Sequence, residues 1–134
     1  MNTIYADSDY TDLIWMEFEG PTWTEYNELL DSLSQIVEVA VEPLCLIFVP
    51  AIDMPGGNPL PHIRRLINFL HPDSKLAEMI VVLPAWMSIA SMMLRITAKL
   101  FHLNMTHVQV AVSLDEAKAL YKAYQHDVMK QRSA

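Results

Sequence analysis

A single cysteine, Cys45, stands in the 134 residues, so the chain cannot close an internal disulfide or build a multi-cysteine zinc cage. Bases are scarce as well: 9 Lys and Arg face 16 Asp and Glu, for a net charge of −7. Arg64, Arg65, Lys75 and Arg95 are too sparse to track a phosphate backbone, which argues against nucleic acid as a partner. The longest uncharged run, Met79–Leu94, is broken by Pro84. It falls short of the roughly 18–20 apolar residues that cross a bilayer. The opening MNTIYADSD has neither a basic nor an apolar leader region, and the expectation is a cytoplasmic protein without a signal peptide. Glycine is rare, with three in all, two of them adjacent at Gly56-Gly57. No Gly-x-Gly-x-x-Gly, Gly-Lys-Ser/Thr or Gly-x-Ser-x-Gly frame can be assembled.

What the sequence does have is apolar residues in two periods. Thr3–Asp7 and Leu13–Glu19 read as strands joined by the polar turn Ser8–Asp12, an antiparallel hairpin near a sheet edge. In the second, Ile14, Met16 and Phe18 make one continuously apolar face and Leu13, Trp15 and Glu17 a mixed one. Gly20-Pro21 ends it. Thr22 with Glu25 forms a capping box, and Tyr26, Leu29, Leu30, Leu33, Ile36, Val37 and Ala40 follow at helical spacing. Pro43 stops this helix, and Leu44–Val49 (LCLIFV) is an unbroken apolar strand in which Cys45 reads as a small core residue. Pro61 opens a short helix with Ile63, Leu66, Ile67 and Leu70 inward and Arg64, Arg65 and Asn68 outward.

Met79–Leu83 (MIVVL) then reads as a central strand, and Trp86 to about Leu103 as a long helix. Val108–Val112 is a last strand. Ser113 with Glu116 caps a last helix whose stripe is Ala117, Leu120, Tyr121, Tyr124 and Val128, with a frayed tail at residues 130–134. The order β-β-α-β-α-β-α-β-α predicts a single α/β domain over residues 1–134. It has a mixed sheet of about five strands, parallel after its opening hairpin, and about four helices.

Ligands of open α/β sheets bind beyond the carboxyl ends of the parallel strands. The loops there present Asp53, Gly56, Gly57, Asn58, Trp86, Met87, Ser88, Leu94 and Ser113 as candidate partner- or ligand-binding residues. Two apolar rows run along the helix from Trp86, one through Ile89, Met93, Ile96 and Leu100, the other through Met87, Ala90, Leu94, Ala98 and Phe101. One row docks the helix on its sheet. The other is covered by neighbouring helices, by a second copy of the chain, or by an apolar ligand to which the flexible methionines adapt. The histidines at 62, 71, 102, 107 and 126 lack the spacing that puts two metal ligands on one helix face, so no metal or cofactor is expected. His62 and His71 read as solvent-facing. The acids Asp7, Asp9, Asp12, Glu17 and Glu19 read as a solvated edge that discourages strand addition.

FEGPTWTEYNELL, EMIVVLPAWMSIASMMLRITAKLF and VAVSLDEAKALY, in this element order, resemble the STAS domain family (sulfate transporter and anti-sigma-factor antagonist). The closer likeness is to its SpoIIAA-like branch, related to Sec14-type lipid-binding domains, over roughly Ile4 to Tyr124. The resemblance implies a non-enzymatic protein-binding module, often dimeric. The family's phosphorylatable Ser or Thr corresponds to the stretch Asp53-Met54-Pro55-Gly56-Gly57, and no Ser or Thr occurs between Ser34 and Ser74. A homodimeric interaction module without that phospho-switch is therefore expected. A binder or sensor of a small apolar or lipid-like molecule is the alternative.

Overall fold

A computed structural model describes residues 2–20, 22–50, 60–70, 74–83 and 107–133. Within them the chain is α/β, as its alternating periods predict. Five strands, β1 (Thr3–Ala6), β2 (Leu13–Glu17), β3 (Leu44–Val49), β4 (Leu76–Val82) and β5 (Val108–Ala111), lie side by side in sequence order. β1 and β2 form the antiparallel hairpin, and the β2–β3, β3–β4 and β4–β5 pairs are parallel. Three helices are described: α1 (Trp23–Val39), α2 (Leu60–Ile67), which continues into the 3-10 turn Asn68–Leu70, and α3 (Leu114–Ser133). The expected helix Trp86–Leu103 lies outside the described residues.

α1 starts where its cap predicts. The Thr22 hydroxyl accepts the Glu25 N–H at 3.3 Å, and a Glu25 carboxylate oxygen accepts the Thr22 N–H at 3.2 Å. Its stripe Tyr26, Leu29, Leu30 and Leu33 is buried with Leu66 of α2 against Ile14, Met16, Leu46, Phe48, Met79 and Val81. The opposite face of the sheet, Leu13, Trp15, Cys45, Ile47, Ile80, Val82 and Ala111, is closed by Ala117 and Tyr121 of α3. Two helical layers thus explain why β3 is apolar at consecutive positions. On the mixed face of β2, Leu13 and Trp15 are as buried as Ile14 and Met16, while Glu17 at its end is only partly buried.

β4 starts earlier than the run MIVVL indicates, at Leu76. Leu44 pairs with Leu76 and Cys45 with Glu78, so Ala77 is an extra residue in the ladder. Such a bulge re-aims the side chains that follow it. Leu76 joins the α1 side, and Glu78, two residues on, falls in line with Ile80 and Val82 on the α3 side. β5 ends at Ala111, leaving Val112 half-exposed. α3 runs on through Ser133, where a frayed tail was expected.

Candidate functional site

Of the residues the sequence offers for binding, Asp53, Gly56, Gly57, Asn58, Trp86, Met87, Ser88 and Leu94 lie outside the described residues. Ser113 is described, just past the carboxyl end of β5. Its hydroxyl accepts the Glu116 N–H at 3.1 Å and its carbonyl the Ala117 N–H at 3.0 Å, so it caps α3. Val112 and Leu114, on either side of it, are half-exposed.

At the carboxyl ends of β2 and β3 the chain gathers aromatic rings instead. Phe18 leaves β2, Phe48 is near the end of β3, and Trp23 and Tyr26 stand on the first turn of α1. Into this group α2 brings His62, whose imidazole stacks on the Trp23 ring at 4.1 Å between centroids and 8° between planes. The Tyr26 hydroxyl donates to the His62 carbonyl at 2.8 Å. Phe18 meets Tyr26 edge-on at 5.3 Å. The expectation of a solvent-facing His62 is thereby corrected, because a flat indole offers the imidazole more contact than water does. Burial, and then the Arg65 guanidinium, hold the His62 pKa below its ordinary value and favour the neutral ring. Arg65, expected outward, reaches back to α1: Nη1 donates to Asn27 Oδ1 and Nη2 to Asp31 Oδ1, each at 2.6 Å. The arrangement is a neutral aromatic shelf, fixed at its back by an ion pair.

A second constellation, at the amino ends of the strands and under α3, escapes the sequence reading. Leu13, Cys45 and Glu78 are register partners across β2, β3 and β4, and His107 immediately precedes β5. Asp12 precedes β2. Its carbonyl accepts the Cys45 N–H at 2.8 Å, and its carboxylate accepts a hydrogen bond from the Tyr121 hydroxyl of α3. The Tyr10 ring packs edge-on against Tyr121 at 5.2 Å. Asp7 belongs to the same edge: it accepts from Trp15 Nε1 at 2.8 Å and from the Asp9 and Tyr10 N–H groups. Asp7 and Asp12 are thus structural acceptors as well as a charged edge.

Cys45 is fully buried, and desolvation, with Glu78 and Asp12 adding to it, pushes its thiol pKa well up. A buried thiol of this kind is a packing group and a poor nucleophile. Glu78 is 7% exposed. Its Oε1 has no hydrogen-bond partner among the described residues, and its Oε2 lies 4.0 Å from Nδ1 of the half-exposed His107. Burial pushes its carboxyl up to about 7. Chemically this group can hold or release a proton near neutrality. The signal for it was present in the sequence, as the lone acid inside LAEMIVV, but only the bulge at Ala77 turns it under α3.

Among the described residues no set of three or more His, Cys, Asp or Glu could hold a metal ion, and no helix is long and apolar enough to cross a membrane. Compared with known proteins, the chain matches no family model, no curated protein and no solved structure.

Proposed function

We propose that the chain is a non-enzymatic, STAS-like interaction module of the cytoplasm that binds another protein and works as a homodimer without a Ser/Thr phospho-switch. The element order, a strand hairpin followed by alternating helices and strands, supports the STAS-like reading. The observation that carries the binding reading is where the fold leaves its apolar surface. Val39 and Val41, at the end of α1, are 78% and 92% exposed, and Val112 and Leu114 flank Ser113 in half-exposed positions. Ser113, between the latter two, already spends its hydroxyl on the cap of α3. Paired apolar residues at loop ends are surface that a protein partner can bury. Sedimentation velocity of the purified chain at tens of micromolar tests the dimer. A species of twice 15.3 kDa is expected, and a species that stays at 15.3 kDa overturns it.

A second reading, a small apolar or lipid-like ligand, is favoured by the aromatic shelf of Phe18, Trp23, Tyr26 and His62 at the strands' carboxyl ends. Indole fluorescence that changes with added fatty acid in the native chain, and no longer does so in Trp23→Phe, would support it. An identical response in both would remove it.

A further inference from the structure

Glu78 is the buried acid that the proposed binding role does not use, and its surroundings are specific. From β3 it faces the Cys45 thiol, with Asp12 beyond it at the start of β2. His107 approaches from the entry to β5, and Tyr121 of α3 closes the same layer with its hydroxyl committed to Asp12. Among these groups none compensates a negative charge on Glu78 by a hydrogen bond. His107, at 4.0 Å, is within ion-pair range but beyond hydrogen-bond reach. A protonated carboxyl suits such a site. An ionised one would leave Oε1 without a donor among these groups.

The backbone next to Glu78 is where the ladder could give. The Met79 N–H donates to the His107 carbonyl at 2.9 Å, the first rung joining β4 to β5. At the other end of the same pair the Leu83 N–H donates to the Ala111 carbonyl at 2.7 Å. β5 is the end strand of the described sheet and only four residues long, so its first rungs have pairing on one side only.

We propose that Glu78 and His107 form a proton-operated latch on β5: the first β4–β5 rungs are closed while the Glu78 carboxyl holds its proton and loosen when that proton passes to solvent. Loosening lets water, and the His107 side chain, reach the carboxylate. The far rungs, anchored by Ala111 and the Ser113 cap, stay paired.

Amide hydrogen exchange read by NMR on the full chain tests this, with protection factors corrected for the intrinsic rise of exchange with pH. Between about pH 5 and about pH 8 the Met79 amide is expected to lose roughly tenfold or more of its protection, while Leu83 and Ile47 hold theirs. Glu78→Gln, a neutral isostere of the protonated acid, is expected to keep Met79 protected across the range. A flat Met79 profile in the native chain overturns the latch, as does an equal loss in Glu78→Gln. If that variant does not fold, carbon-detected titration of the Glu78 carboxyl in the native chain decides. A midpoint near neutrality that coincides with the Met79 change upholds the latch, and a midpoint in the ordinary glutamate range overturns it.

Discussion

Removing one oxygen atom tests how α3 is fixed to the sheet. Tyr121 is 1% exposed, its ring packs edge-on against Tyr10, and its hydroxyl donates to the Asp12 carboxylate. Tyr121→Phe keeps the ring and deletes only that donor. A hydrogen bond to a charged group contributes about 1.5–3 kcal/mol. Asp12 is only half-buried, so water recovers part of its solvation in the variant, and the expected loss falls to about 1–2 kcal/mol. For a chain of this length that lowers Tm by roughly 3–8 °C. The magnitude alone does not identify the contact, so a double-mutant cycle is needed. Asp12→Asn, Tyr121→Phe and the double variant, each unfolded in urea, should show a coupling of about 1 kcal/mol or more. Tyr121→Ala, which also empties the site under α3, should cost about 3–5 kcal/mol. If the two conservative variants add within about 0.5 kcal/mol, the Asp12–Tyr121 contact does not help to hold the helix.

Three further outcomes follow from single groups. Glu78, pushed up to about 7 by burial, holds its proton more tightly folded than unfolded. It therefore contributes stability below its ordinary pKa of 4.5 that is lost as pH rises through about 7. The shift caps this at roughly 3 kcal/mol, and solvent at the His107 side lowers it to about 1–2 kcal/mol. Urea unfolding of the native chain and Glu78→Gln between pH 5 and pH 8 should show the native chain alone losing that amount. Thr22→Ala removes the hydroxyl that takes the Glu25 N–H and should cost about 1 kcal/mol, measured as a shift of the urea midpoint without a change in slope. The Cys45 thiol, buried and with its pKa raised, should ignore a disulfide reagent in the native chain and react with one equivalent in guanidinium. Native reaction at the rate of a free thiol would contradict its place in the core.

How much of this could be read from the residues depends on the range of the forces involved. α1 was legible to its first residue, because Thr22, Glu25 and the Tyr26–Leu33 stripe interact within a few residues of one another. β3 and the parallel steps after the hairpin were legible for a related reason. An unbroken run such as LCLIFV is stable only between two covering layers, and alternation with helices dictates parallel pairing. Contacts between distant segments were not. Trp23 and His62 stack across the α1–α2 interface, Arg65 turns back to Asn27 and Asp31, and Asp12 and Tyr121 are 109 positions apart. No local period encodes such pairs. The face of Glu78 was hidden by a smaller event, the extra residue Ala77, which breaks the two-residue alternation a strand otherwise obeys. The capping role of Ser113 was legible, yet the residues gave no sign that an aromatic shelf would form around Trp23.

Native mass spectrometry of the freshly purified chain bears most directly on the central claim, that this is a protein-binding module and not a carrier of small molecules. The account predicts a dimer, twice 15.3 kDa, free of bound small-molecule mass. A monomer that carries an apolar adduct through purification would contradict it.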